Sequence, residues 1–455
     1  MNLKEMIISG VKWSGMSSIV VSILQLIQII VLTKYLSAGD LGLMALITVI
    51  VGFSTIFGDA GMSAAIIHKQ DISKLQLSSL YWLNVLVGGL LAITLFYIAP
   101  SVAYYYSEDA LTPLLKTVAI TFFVSALGSQ FRTLLQKGLC FDTIAKVEIA
   151  SSLLGFIVCL ELVVSGFGVI SVVHGALSKS FLSAGLYLAY GLKYHIPQLT
   201  FRYSELGGMI RFGSFQMGEK SINYFNSNFD TLLVGKLLGV ESLGIYAVAK
   251  TLVMKPAQIV NPIVTNVTFP VLAKVQKSRI KVKDIYLKTL KYLCSVNAVI
   301  YATVFFLASP IVFYLYGENW FEAVVLVKIM SLYYVIRSTI NPIGSLQLAM
   351  GRADLGFYWN LALFIFCPLA IFVGSSWGLE GVGYSLIVFV LLISIPNWFF
   401  MVKPLCGAGF IEYFKVILIP FFVVACFFIT FSEIIYLNVG TREILSDNIV
   451  ISVLV

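Results

Sequence analysis

Four cations stand inside long apolar stretches of this sequence: Lys179, Lys220, Lys250 and Arg337. A fixed charge at bilayer depth costs about 3 kcal/mol on insertion scales, so it is kept where it has a partner or an anionic ligand. Neither Lys250 nor Arg337 has a carboxylate within one helical turn on its own segment. Arg337 shares a helical face with Asn341 and Ser345, which sets hydrogen-bonding groups beside a forked donor suited to oxyanions. Asp230 and Glu161 are the carboxylates best placed to exchange a proton or cation. Asp59 serves equally well as a helix cap in the turn Gly58-Asp-Ala-Gly61. Lys255 and Lys328 fall nearer the membrane surfaces, where long side chains snorkel. The six cysteines are scattered without a CxxC pair, and His174 and His195 lack partners at metal-ligand spacing. The sequence has no HExxH and no glycine-rich nucleotide cradle. Neither a metal, nor a cofactor, nor an enzyme nucleophile is expected.

The elements that must hold these residues are membrane helices. Of the 455 residues 59% are hydrophobic and only 11% charged, against roughly 25% charged in soluble domains. The apolar residues come in runs of the roughly 20 that a helix needs to cross a bilayer. Twelve spans are predicted, in two sets of six beginning near residues 12 and 210. A thirteenth follows near 411–432, and a last apolar run starting near 447 reads as a truncated helix. The implied domains are 1–205, 206–405 and 406–455. The eighth span carries Pro256, Pro262 and Pro270 and is expected to be kinked or broken. Loop cations gather on one side, from Lys4 and Lys12 through the run between Lys274 and Lys291 to Lys403 and Lys415. The other side offers little beyond Lys34, Lys236 and Arg442. That asymmetry places the N-terminus in the cytoplasm. It also accounts for the net charge of +8 without a nucleic-acid partner.

The two sets repeat one another. At a constant offset Lys34 matches Lys236, Leu36 matches Leu238, Leu41-Gly42 matches Leu243-Gly244, and Ala45 matches Ala247. Both copies are the tight outer turn between the first and second helices of a set. Farther back, Ser14, Ser18, Gln25 and Gln28 fall opposite Gln216, Lys220, Ser227 and Asp230, each quartet on one narrow face. Such a stripe either glues helices together or lines a polar cavity. The recurrence of the stripe in register, with Lys220 and Asp230 in its second copy, favours the cavity, with Gln25, Gln28, Lys220 and Asp230 on its wall.

The run from Asn228-Phe-Asp230 through Gly235-Lys-Leu-Leu-Gly239 to Leu243-Gly244-Ile-Tyr246 and Lys250 resembles a known family. It is similar to the Wzx-type polysaccharide transporters of the multidrug/oligosaccharidyl-lipid/polysaccharide exporter superfamily, in the colanic-acid and teichuronic-acid branch. Phe269-Pro270-Val-Leu, Leu315-Tyr-Gly317-Glu-Asn-Trp320 and Ala349-Met-Gly351-Arg352 agree with it. The resemblance implies an all-α integral membrane fold of two six-helix lobes forming a V, with one or two extra C-terminal helices. It implies alternating access and a polyprenyl-diphosphate oligosaccharide as cargo, flipped across the bacterial inner membrane for surface polysaccharide synthesis. Membrane lipids, a polysaccharide polymerase and chain-length machinery are the implied partners. On this reading Arg337, Lys250, Lys220 and Lys179 meet the diphosphate, Asn341 the sugars, and Asp230 or Glu161 an ion gradient. A lipid II flippase or an ion-coupled drug antiporter is the alternative, and a multi-span polymerase is the alternative from another class. The first helix has Gln25 and Gln28 where drug antiporters carry an acid, and the outer loops are too short for a catalytic domain.

Overall fold

The computed structural model describes residues 3–58, 66, 72–202, 206–340 and 342–440. Regular structure there is helical throughout. The helices are α1 Leu3–Tyr35, α2 Ala38–Gly58, α3 Lys74–Tyr106, α4 Leu111–Lys137, α5 Phe141–Val164, α6 Ile170–Gly191 and α7 Gly207–Val275. They continue as α8 Arg279–Phe306, α9 Ala308–Tyr316, α10 Ala323–Ser338, α11 Pro342–Ala349, α12 Ala353–Ser375, α13 Gly378–Asn397, α14 Lys403–Cys406 and α15 Phe410–Gly440. Among the described residues nine helical segments are long and apolar enough to cross a membrane. Asp59 and the run from 447 lie outside the described residues.

The chain forms two compact units, Met1–Gly244 and Ile245–Val455. In the first, α3 packs along α4, α4 and α5 along α6, α1 along α5, and α2 on α4. Between apolar helices in lipid no hydrophobic force favours association, so close packing must do the work. Small residues provide it. Gly155 and Gly175 face each other, and a Cβ on either would press on the other's carbonyl oxygen at 2.7 and 2.6 Å. A Cβ on Gly128 would meet Ala184 Cα of α6 at 2.8 Å.

The first stretch of α7 also belongs to this unit. Tyr224 donates its hydroxyl to the Val49 carbonyl at 2.7 Å, and Tyr106 donates to that of Leu232 at 3.3 Å. The two copies of the repeated turn meet here. A Cβ on Gly42 would collide with the carbonyl oxygen of Val240, and one on Gly244 with that of Ala38. Residue 240 is the repeat mate of residue 38, as 244 is of 42, so the contact is reciprocal. The two turns are built differently. Ser37 caps α2, accepting from the Asp40 amide at 3.1 Å while Asp40 accepts from Ser37. Its mate Gly239 instead turns the chain with φ +85°, a conformation open to glycine. That glycine is the break inside α7. From 240 to 275 the helix runs on through Pro256, Pro262 and Pro270 with helical dihedrals, so of the kink or break expected there, the break is absent. Neighbouring groups in a membrane bundle can re-satisfy the carbonyls that proline frees.

In the second unit the end of α7, α8, α11, α14 and α15 share a core around Leu272, Tyr286, Leu290, Leu346, Leu405 and Tyr413. Lys283 pairs with Glu412 at 3.2 Å, and Arg279 donates to the carbonyls of Lys403 and Pro404. The expected tenth span is divided into α10 and α11, and α10 ends at Ser338, one residue after Arg337.

The segment after α6 is tied to the start of α3. Ser78 Oγ donates to the Lys74 carbonyl, accepts from the Gln198 amide and shares a hydrogen bond with His195 Nε2, and Ser79 accepts from the Arg202 amide. Burial, with the nearby Lys74 charge, holds His195 below the usual histidine range. The unfolded state therefore binds the proton more readily, and the tether loses stability as pH falls through the ordinary histidine pKa. Hydrogen exchange at the Gln198 and Arg202 amides, corrected for intrinsic rate, should speed up between pH 7.5 and 5.5. In His195→Gln the change should vanish; an equal pH response there would remove His195 from the account.

Candidate functional site

In the first unit the structure gathers charged residues of α4, α5 and α6 beside a serine of α1. Arg132 Nη2 donates to Glu148 Oε1 at 2.8 Å, and Ser17 Oγ donates to Glu148 Oε2 at 3.1 Å. Lys179 lies within electrostatic reach of Glu148. The Tyr187 hydroxyl, on a side chain 94% buried, lies within reach of both Arg132 and Glu148 and makes no geometric hydrogen bond among the described residues.

The crossings described above place these groups. Arg132 follows Gly128 by one turn, Lys179 follows Gly175 by one turn, and Glu148 precedes Gly155 by two. Each charge therefore lies on the packed face of its helix, a short distance from a close contact. The Lys179 Cβ lies 2.9 Å from where a Gly155 Cβ would stand, so a larger residue at 155 would displace the lysine.

Depth and exposure decide what this cluster faces. Arg132 is five residues inside the end of α4 and Glu148 seven inside the start of α5, about 8 and 10 Å along the helices. Their side chains are 47% and 36% exposed. Lipid cannot solvate an ion pair, so an exposed one within a span stands in water. Two cations and one carboxylate leave this wall with a single net positive charge, ready for an anion.

Of the other expected residues, Gln28 donates to Cys159 Sγ at 3.3 Å and so joins α1 to α5, while Gln25 is exposed. Lys220 is exposed on the first stretch of α7, and Asp230 accepts from the Thr231 amide. Glu161 is exposed in the last turn of α5, well away from mid-span. In the second unit Lys250 is buried with its ammonium 6.0 Å from the centre of the Tyr246 ring. Arg337 is exposed in the last turn of α10, donating to the Tyr333 hydroxyl and standing 5.6 Å over its ring. A helix C-terminus favours a cation. Asn341 lies outside the described residues.

A family model described as "Polysaccharide biosynthesis protein" matches residues 31–325. The chain belongs to this family. Members named for surface polymers run nearly its whole length. It is 30% identical over 93% of its residues to the lipopolysaccharide biosynthesis protein WzxC of Escherichia coli (strain K12), covering 86% of that protein. It is 31% identical, again over 93%, to the teichuronic acid biosynthesis protein TuaB of Bacillus subtilis (strain 168), covering 88% of it. The resemblance to the Wzx-type transporters read from residues 228–250 is thus borne out. Among solved structures, the fold matches the lipid II flippase MurJ with a TM-score of 0.75 at 14% identity, over 92% of this chain and 93% of that one. An inward-facing multidrug MATE transporter matches at 0.65 and 13%, over 83% and 93%. The all-α membrane fold of this family member is therefore that of flippases and transporters.

Sequence reasoning missed Ser17, Arg132, Glu148 and Tyr187. The count of turns from Lys137 sets Arg132 inside the span, a signal the sequence does carry.

Proposed function

We propose that this polysaccharide biosynthesis protein flips a polyprenyl-diphosphate oligosaccharide from the cytoplasmic to the outer leaflet of the bacterial inner membrane. The observation that carries the reading is the water-facing Arg132–Glu148 pair with Lys179 beside it, a net cationic wall inside the spans. Cargo with a dianionic headgroup needs such a wall, and an uncharged cargo would not. Relatives named for lipopolysaccharide and teichuronic acid biosynthesis support a glycan as the rest of the cargo.

Transport proceeds by alternating access between six-helix halves 1–205 and 206–405, with the N-terminus in the cytoplasm. Arg337, Lys250 and Lys220 supply further positive charge along the path, Asn341 with Gln25 and Gln28 meets sugar hydroxyls, and Asp230 or Glu161 couples the cycle to an ion. A polymerase on the outer side consumes the product.

Deleting the gene should make one lipid-linked repeat unit accumulate on the cytoplasmic leaflet, and the wild-type gene should clear it. Unchanged lipid-linked intermediates in the deletion strain would reject the reading. A reporter active only in the cytoplasm should work after Lys283 and fail after Glu108; the reverse would overturn the orientation.

A further inference from the structure

The carboxylate in the cationic wall is not explained by anion binding. Arg132 and Lys179 would attract phosphate more strongly without Glu148 beside them. Stability explains it poorly as well, because an ion pair this exposed to solvent is only weakly stabilising. Yet both carboxylate oxygens are engaged, one by Arg132 and the other by Ser17. The buried Tyr187 hydroxyl stands close by, within reach of Arg132 and Glu148.

We propose that Glu148 is a resident counter-anion, which holds Arg132 while the site is empty and yields that place to the diphosphate of the cargo. This rests on the cargo reading given above and deepens it. A diphosphate diester carries two negative charges, and Arg132 with Lys179 supplies two positive ones. At rest Glu148 neutralises one of the two, so the wall does not present both bare cations to every passing anion. When phosphate takes the guanidinium, Ser17 keeps its hold on the other carboxylate oxygen. The Tyr187 hydroxyl is available as a new donor to either anion. The price of the arrangement is weaker cargo binding, and its return is release: a carboxylate tethered at the site competes for Arg132 and helps to eject the headgroup. No bond is made or broken in this exchange.

The role has a sign that a structural role lacks. A structural partner holds Arg132 in place, so its loss lets the guanidinium stray and weakens the site, whereas loss of a competitor strengthens it. With the full-length protein in lipid nanodiscs and farnesyl diphosphate as the probe, Glu148→Gln should bind about fivefold more tightly than wild type or better. It should also turn over cargo more slowly. Arg132→Gln and Lys179→Gln should bind the probe more weakly than wild type. Glu148→Asp, which keeps the charge but retracts it from Arg132, should also bind more tightly than wild type and covers the case in which Glu148→Gln fails to insert. Equal or weaker binding by the inserted variants, with wild type still binding, overturns the counter-anion role and leaves the cargo reading standing. Failure of both Glu148 variants to insert also overturns it, marking Glu148 as a structural partner. No binding by wild type or by any variant overturns both the role and the diphosphate reading of this site.

Discussion

Replacing Gly42 by alanine should destabilise the purified protein by about 2–3 kcal/mol, the upper range for forcing an added group into a packed contact. The sign is decisive. Alanine is the better helix former by about 1 kcal/mol, so a loosely packed glycine in α2 would gain stability from the change. Here the new Cβ would land on the Val240 carbonyl oxygen, which belongs to backbone and cannot swing aside. Gly244→Ala should behave alike, because its Cβ would land on the carbonyl of Ala38. The double variant should lose less than the two single losses added together, since the first substitution already opens the seam that the second would strain. Thermal melts in detergent of the four proteins complete the cycle. A Gly42→Ala protein that melts at or above the wild-type temperature would show that the turns do not touch as described.

Arg132→Ala should reduce transport at least tenfold and also lower the amount of inserted protein. Loss of the guanidinium leaves Glu148 inside a span with only Ser17 bonded to it. The stability penalty should be about 1–2 kcal/mol, between the ranges for exposed and buried pairs, because the side chains are 47% and 36% exposed. Two further variants separate stability from function. Arg132→Ala combined with Glu148→Gln should restore abundance but not transport. Arg132→Lys should retain part of the activity, because charge survives without the planar fork. Wild-type transport by a well-expressed Arg132→Ala protein would remove this residue from the cargo path.

The spans were legible because lipid imposes one rule on every residue that faces it, and a run of apolar side chains states that rule locally. The repeat was legible for a similar reason: the match of Leu41-Gly42 with Leu243-Gly244 is a matter of letters and spacing. What the glycines do was not legible, since the partner of each lies about 200 residues away. The site was legible in part. Lys179 stood out as a charge at mid-span, but Glu148 lies two residues from Lys146 and was overlooked beside a basic loop. Only the folded chain shows that Glu148 turns inward to Ser17 and Arg132 while Lys146 pairs with Asp142 outside. The prolines misled in the other direction. Pro256, Pro262 and Pro270 argued for a kinked or broken eighth span, yet the dihedrals stay helical at all three, and the chain breaks at Gly239 and between α10 and α11, ahead of Pro342. Proline removes one donor and leaves the outcome to its neighbours.

The glycine contact also bears on ancestry. In an isologous interface a patch meets its own copy, so residue i touches j while j touches i. Gly42 on Val240 and Gly244 on Ala38 obey that relation within one polypeptide. Within this contact the two turns meet as the two sides of an isologous seam do, as expected of copies joined in one chain by duplication. In a dimer one glycine codon would serve both sides of the seam, and a change there would strike twice. Once the copies share a chain, each side can drift alone provided the other still fits. The turns record that drift: one is closed by a serine cap, the other by a glycine at positive φ, and the backbone path between them has been kept.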